Sequence, residues 1–168
     1  RTAAYKVHVA SDRRRRENEP RHILCAIAGW KGKIMELFLG GCYQGKKEYV
    51  LKLHPECKGQ VIEGENLPAD WDGMIKELQE FENPVINHLH LWVRKCLEQQ
   101  ADVELLADKL LETYPGLIFI CDEIGNGIVP MDALERDYRE QTGRLQIRIA
   151  EKAERVERIV CGISQRLK

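Results

Sequence analysis

Residues 35–53 read MELFLGGCYQGKKEYVLKL, and the class of fold can be inferred from them. Its first part is a short apolar run that ends in two glycines. The part after Gly45 carries apolar side chains at helical spacing, at Tyr49, Val50 and Leu53. The pattern predicts a strand, then a glycine-rich loop, then a helix. The sequence beyond it continues to alternate strands with helices, which predicts an α/β fold with a mainly parallel sheet flanked by helices.

The rest of the chain supplies the other predicted elements. Residues 117–121 form a continuous apolar run, which is typical of a strand buried on both faces of a sheet. Residues 57–73 are rich in Gly, Pro and Asp, and we expect turns there. The remaining predictions are a helix at 74–81, a strand at 85–86 that passes into a helix, a helix at 101–114, a helix from 131 with a break near Gly143, and two closing strands around Gly162.

The composition bounds the class of protein. With 168 residues, of which 43% are hydrophobic, the chain can bury one sizeable core. No apolar run approaches the roughly 18 residues of a membrane span, and no secretory leader is recognisable, so we expect a cytoplasmic protein. The six cysteines form no C-x-x-C pair, which argues against a zinc knuckle or a redox dithiol.

The charge is unevenly distributed along the chain. Residues 1–34 hold nine Lys and Arg against three Asp and Glu, a net charge of +6, while the remainder carries −7. A nucleic-acid-binding arm is one interpretation of the basic segment. Its composition favours a disordered extension without function, or residues outside the natural start, since Met35 stands directly before the first strand. We therefore expect one nucleotide-binding domain at 35–168 and no nucleic-acid partner.

The glycine-rich loop has the chemistry of a phosphate site. It fits G-x-x-x-x-G-K with Gly40, Gly45 and Lys46, although Lys47 stands where such loops carry Ser or Thr. Backbone N–H groups at a strand-to-helix turn converge on one point, where phosphates bind. The predicted nucleotide-binding residues are Gly40, Gly41, Cys42, Tyr43, Gln44, Gly45, Lys46 and Lys47. The alternative is a flexible turn with both lysines in solvent.

Two carboxylates follow the predicted strand 117–121. Asp122 and Glu123 would lie at the carboxyl end of the sheet, where ligands of α/β proteins bind. Because Lys47 cannot bind Mg²⁺, the metal must use other oxygens, and Asp122 is the predicted ligand. Glu123 and Asp122 are also the predicted catalytic carboxylates. The alternative is that both residues only cap a helix or form a surface turn.

Four longer motifs resemble one enzyme family. They are LFLGGCYQGK at 37–46, EIGNGIVP at 123–130, GRL at 143–145 and VCGISQRLK at 160–168. Together they resemble the adenosylcobinamide kinase/adenosylcobinamide-phosphate guanylyltransferase family. The resemblance implies a RecA-like P-loop fold and a role in cobalamin biosynthesis. Such enzymes phosphorylate the aminopropanol hydroxyl of adenosylcobinamide from ATP or GTP, and then transfer GMP from GTP through a guanylylated histidine. The implied partner is this corrinoid substrate. The oligomeric state is left open, and a homo-oligomer is one of the alternatives.

The chain departs from the family pattern in three places. Lys47 replaces the loop hydroxyl, and Gln146 with Ile147 replaces an Asn-Gln pair. The family's second strand and its histidine segment are absent, since only residues 55–67 separate the first helix from the predicted helix at 74–81. The histidine of the family therefore has no counterpart by position.

Three histidines remain as candidates by residue type alone. A histidine nucleophile needs one ring nitrogen held by a partner and the other free to reach the phosphate. His54, close after the loop helix, is the foremost candidate, followed by His88 and His90. Each could equally be an ordinary structural histidine.

Two functions stay open at this point. The chain is either a shortened enzyme of the family, with kinase activity favoured over guanylyl transfer, or a degenerate nucleotide-binding protein that regulates or partners corrinoid metabolism. Lys47 and the absent histidine segment fit the second alternative.

Overall fold

The computed structural model describes residues 32–168. The basic extension predicted at 1–34 lies outside the described residues except for its last three positions. Within the described part, the buried side chain of Met35 marks the beginning of the core. No helix among residues 32–168 combines the length and the apolar character that crossing a membrane requires.

Six strands form one sheet. They are β1 (Glu36–Gly40), β2 (Val61–Glu63), β3 (Val85–Asn87), β4 (Ile118–Asp122), β5 (Arg155–Val160) and β6 (Ile163–Arg166). The strand order is β2-β3-β4-β1-β5-β6. All neighbouring pairs are parallel except β5 with β6. The α-helices among the described residues are α1 (Lys46–Leu53), α2 (Trp71–Leu78), α3 (Leu89–Glu98), α4 (Val103–Thr113) and α5 (Ala133–Lys152), and a short 3-10 helix spans Pro55–Cys57. The predicted α/β fold is confirmed.

The central strands are apolar because the sheet is covered on both faces. Leu37 and Phe119 pack into one hydrophobic cluster, whereas Phe38 and Ile120 pack into the other. All five residues of β4 are buried. Alternate side chains of β1 and β4 therefore enter two different layers of core, which is the environment of a parallel sheet between helices.

The N-termini of three helices are set by their capping residues. The carboxylates of Asp70, Asp102 and Asp132 each accept a hydrogen bond from the backbone N–H three residues later. A side chain that satisfies such a free donor fixes the first turn of a helix. This explains why α2 begins at Trp71, earlier than the predicted 74.

The structure corrects two predictions. A second strand, β2, does form in the stretch expected to be turns, where it pairs with β3. Gly64 then brings the two chains close together: its N–H donates to Asn87 O at 2.7 Å. A Cβ at Gly64 would lie only 2.3 Å from His88 O. Three residues are too few to produce a recognisable strand period.

The predicted break near Gly143 is also wrong, because α5 is continuous from Ala133 to Lys152. Glycine inside a helix costs about 1 kcal/mol. The flanking side chains of Tyr138, Leu145 and Ile149 are buried in the core and offset this cost.

Candidate functional site

The glycine-rich loop lies at the carboxyl end of β1 and leads directly into α1. Gly40 closes β1 with φ 154°, and a Cβ at this position would lie 2.3 Å from Ile159 O on β5. Only glycine allows the loop to leave the sheet so close to the neighbouring strand. The loop is also held at its far side, where Gly162 N donates to Gln44 O at 2.9 Å and Cys161 N donates to Gln44 Oε1 at 2.7 Å.

Lys46 and Asp122 form a buried ion pair beneath the loop. Lys46 Nζ lies 2.7 Å from Asp122 Oδ1 and donates to Gly41 O at 2.7 Å. The pairing of Gly40 with Asp122 across β1 and β4 brings the two side chains together. Burial tends to raise the pKa of Asp122, but the hydrogen bond and charge of Lys46 outweigh it and hold this pKa below its ordinary value.

His90 lies on the other side of Asp122. Its Nδ1 accepts a hydrogen bond from Asp122 N at 3.4 Å, and its Nε2 lies 3.9 Å from Asp122 Oδ2. Since Nδ1 is an acceptor, the ring proton resides on Nε2, facing the carboxylate. Burial lowers the pKa of His90, so the ring is neutral at neutral pH.

A second polar group, the Glu63 cluster, consists of Lys47, Glu63, Asn87 and His88. Lys47 Nζ lies 2.8 Å from Glu63 Oε1. The other oxygen, Oε2, accepts from Asn87 Nδ2 at 2.7 Å and lies 2.9 Å from His88 Nδ1. Burial tends to raise the pKa of Glu63, but these three partners lower it below its ordinary value. The Glu63 carboxylate, at the end of β2, therefore connects Lys47 of the loop with Asn87 and His88 at the end of β3.

The loop and the Glu63 cluster line one cavity of about 450 Å³. Its walls are residues 42–48 together with Glu63, Glu65, Asn87, His88 and Leu91. Glu63 and Asn87 are not among the residues predicted from the sequence. Each is the last residue of a short strand. The rule that identified Asp122 applies to Asn87, which follows the predicted strand at 85–86, and it would apply to Glu63 only if β2 had been recognised.

Glu123 lies beside the site but is paired with another residue. Its carboxylate accepts two hydrogen bonds from Arg158, at 2.7 and 2.8 Å, and one from Asn126 at 3.1 Å. Its backbone N–H donates to Gly40 O at 3.0 Å. The structure thus directs the Glu123 side chain to β5, whereas Asp122 reaches Lys46.

His54 is not brought to the loop, which corrects its place as foremost histidine candidate. Helix α1 starts at the loop and returns to the amino end of β1, so that His54 Nε2 lies 3.1 Å from Glu36 Oε2. Its Nδ1 lies 3.2 Å from Glu56 Oε1. The hydrogen bond to Glu36 raises the pKa of His54 against the opposing effect of burial. Both ring nitrogens are engaged near the amino ends of the strands, whereas the phosphate loop lies at the carboxyl ends.

Gln146 supports the site from below. Its Nε2 lies 3.3 Å from Asp122 O and 3.1 Å from Cys121 Sγ. The position where the chain departs from the family motif therefore still contacts the end of β4. The neighbouring Ile147 is exposed.

Two buried or half-buried carboxylates near the loop, Asp122 and Glu63, are of the kind that binds a magnesium ion. Residues 32–168 contain no group of three or more His, Cys, Asp or Glu side chains that could hold a metal. Mg²⁺ bound to nucleotides commonly takes one or two carboxylates, with phosphate oxygens and water completing its shell. Asp122 is paired with Lys46 at 2.7 Å and Glu63 with Lys47 at 2.8 Å, so either carboxylate would fit that requirement only once its lysine turned to a phosphate.

Comparison with known proteins identifies relatives of the chain. A family model described as cobinamide kinase / cobinamide phosphate guanyltransferase matches residues 48–167, directly after the loop lysines. The bifunctional adenosylcobalamin biosynthesis protein CobU of Salmonella typhimurium is 28% identical over 108 residues, which are 64% of this chain and 49% of that protein. The bifunctional adenosylcobalamin biosynthesis protein CobP of Pseudomonas aeruginosa is 32% identical over 90 residues, 50% of this chain and 52% of that protein. The chain spans about half the length of these curated relatives.

Proposed function

The chain belongs to the cobinamide kinase / cobinamide phosphate guanyltransferase family, and from this membership we propose that it transfers phosphate from ATP or GTP to the aminopropanol hydroxyl of adenosylcobinamide. The observation that carries the proposal is the buried Lys46–Asp122 pair beneath a glycine loop that opens onto a cavity. Guanylyl transfer to the resulting phosphate is the second activity that we propose for the same site.

The loop would bind the triphosphate. Its backbone N–H groups and the first turn of α1 favour negative charge at this point. The ammonium of Lys46 would exchange its contact with Asp122 for one with the outer phosphates, since a charge-assisted hydrogen bond to phosphate replaces the one that is lost. Gly41 O stays within reach of the same ammonium and limits its movement.

Asp122 would then take the catalytic role. Released from Lys46, its carboxylate remains buried at the end of β4 with His90 Nε2 beside it. In this state it can hold Mg²⁺, which when bound neutralises charge on the transferred phosphate. Glu123 would have to break two hydrogen bonds to Arg158 to do the same, so we assign the role to Asp122.

The pairing of Lys47 bears on the degenerate alternative. A protein that binds nucleotide without a metal would use the charge of Lys47 in place of Mg²⁺. In the structure that charge is neutralised by Glu63 at 2.8 Å. The pairing favours a catalytic site in which the metal is still required.

The test is direct. The purified chain is incubated with adenosylcobinamide, Mg²⁺ and γ-labelled ATP or GTP, and the corrinoid is separated by chromatography. We expect label in the corrinoid, and none with the Asp122→Asn variant. Nucleotide binding without labelled corrinoid would support the regulatory or partner function instead.

A further inference from the structure

His88 differs from the other described histidines in the state of its ring. Its Nδ1 lies 2.9 Å from Glu63 Oε2 and 3.1 Å from Asn87 Nδ2. An ionised carboxylate only accepts hydrogen bonds, and Asn87 Nδ2 donates to Glu63 Oε2 at the shorter distance of 2.7 Å, so we assign the proton to Nδ1. The lone pair is therefore on Nε2, which has no hydrogen-bond partner among the described residues. A histidine with one nitrogen held by a carboxylate and the other free is arranged as a nucleophile.

The free nitrogen belongs to a side chain that lines the phosphate cavity. His88 is 42% exposed and shares the cavity wall with the loop residues. His90 is buried and uses its Nδ1 to accept from Asp122 N. His54 has both nitrogens engaged near the amino ends of the strands. Of these three, His88 alone combines a free nitrogen with access to the site.

The backbone at His88 is unusual for a helix start. His88 occupies the cap position of α3 with φ 52° and ψ 46°, in the left-handed region, and its side chain makes no capping hydrogen bond. The corresponding residues of α2, α4 and α5 are aspartates that do cap. Tyr43, Gln100 and Cys161 also lie in this region, so the backbone conformation alone does not mark a functional residue. At the start of α3 the His88 ring hydrogen-bonds to Glu63 and does not cap the helix.

We propose that His88 is the covalent acceptor of the guanylyl group, the role for which the sequence offered no residue by position. This inference rests on the proposed function and deepens it. His88 Nε2 forms a bond to the α-phosphorus of GTP, the bond from that phosphorus to the bridging oxygen breaks, and pyrophosphate leaves with the electron pair. The proton stays on Nδ1, and Glu63 stabilises the positive charge that the ring acquires.

The second step returns the histidine to its starting state. A phosphate oxygen of adenosylcobinamide phosphate attacks the same phosphorus, forming the diphosphate, and the N–P bond breaks with its electron pair returning to Nε2. Lys47 and Asn87 act as positioning residues, since they hold the two oxygens of Glu63. No further reactant is needed.

The experiment uses two labels on the full chain. With α-labelled GTP and no corrinoid, we expect the wild-type protein to retain label after denaturation, in an acid-labile form typical of a phosphoramidate. With γ-labelled GTP the protein should remain unlabelled. His88→Gly should lose the α-label, because the attacking nitrogen is gone. Glycine suits the left-handed backbone, so this variant should fold. His54→Asn, a histidine remote from the loop, should keep the label.

A rescue separates a chemical role from a structural one. Added imidazole should restore guanylyl transfer to adenosylcobinamide phosphate in His88→Gly, because the free base can occupy the space left by the ring. A label that persists in His88→Gly, or a wild type that phosphorylates adenosylcobinamide but never takes up the α-label, overturns the assignment and leaves the kinase proposal intact. Absence of γ-label transfer to the corrinoid by the wild type is the separate sign that the proposed kinase function fails.

Discussion

Lys46 Nζ lies 2.7 Å from Asp122 Oδ1, which joins the phosphate loop to the end of the neighbouring strand β4. Both side chains are less than one tenth exposed. A buried ion pair of this kind gains little net stability, but losing one partner is costly because a charge is left unpaired. The pair therefore holds a cation at the place where phosphate is expected. Its contributions to nucleotide binding and to stability can be tested by substituting either Lys46 or Asp122.

Lys46→Ala should weaken nucleotide binding by roughly 1.5–3 kcal/mol, the value of a charge-assisted contact. That is about a 10- to 160-fold rise in Kd, measurable by titration calorimetry. Lys52→Ala, a lysine of the same helix that is exposed, provides the control and should leave the Kd unchanged. Equal affinity of Lys46→Ala and wild type would mean that the loop is only a turn.

Asp122→Asn should lower the free energy of unfolding by about 3 kcal/mol, because Lys46 is left as an uncompensated buried charge. Bound nucleotide supplies the missing negative charge, so ATP or GTP should raise the Tm of the variant more than that of the wild type. The double variant with Lys46→Met removes both charges and should recover part of the lost stability in urea denaturation. A single variant as stable as the wild type would show that the pair is not buried in solution.

Lys47→Ser tests how the proposed phosphoryl-transfer site would hold magnesium. Serine supplies the oxygen that the loop lacks, so phosphoryl transfer should persist or rise, and the Mg²⁺ concentration for half-maximal rate should fall several-fold. Lys47→Met is the matched control, since it removes the same charge without adding an oxygen, and it should not lower the Mg²⁺ requirement. If both variants behave alike, the serine hydroxyl does not reach the metal.

His54→Gln should reveal a pH-dependent contribution to stability. The hydrogen bond to Glu36 raises the pKa of His54 above its ordinary value of 6.5. Stability from such a group is fully present below its unfolded pKa and is lost as the pH rises through the folded pKa. Urea denaturation should therefore show a loss of roughly 1 kcal/mol near about pH 5.5 that becomes small near about pH 8.5.

Glu56→Gln gives the control for this measurement. Glu56 contacts the same ring but its side chain is 56% exposed, so the change should be below about 0.5 kcal/mol at both pH values. A His54→Gln effect that is the same at low and high pH would show that the ring contributes by packing and not by charge.

The sequence predicted the parts of the fold that have a long or uninterrupted pattern. The apolar run of β4 and the loop leading into α1 are examples, and both lie where they were expected. The placement of Asp122 next to Lys46 followed from the rule that the carboxyl ends of parallel strands meet at one edge. These features depend on local order and on a simple topological rule.

The rest depended on contacts between distant segments. Strand β2 has only three residues, so neither it nor the role of its last residue, Glu63, could be recognised from periodicity. His54 follows the loop helix closely in sequence, but α1 carries it to the amino ends of the strands. Choosing His88 over His54 required knowing which carboxylate faces each ring, and tertiary packing decides that.

The close approach of the two strands at Gly64 limits which residues position 64 can tolerate. Even a single methyl group there would force β2 away from β3, because its carbon would meet His88 O at 2.3 Å. Glu63 and His88 lie on the two sides of that contact. Separating the strands would therefore disturb the Glu63–His88 hydrogen bond before it disturbed the packing of the core. In a saturation mutagenesis library selected for the proposed transferase activity, codon 64 should be nearly as intolerant of substitution as the codons of the loop lysines.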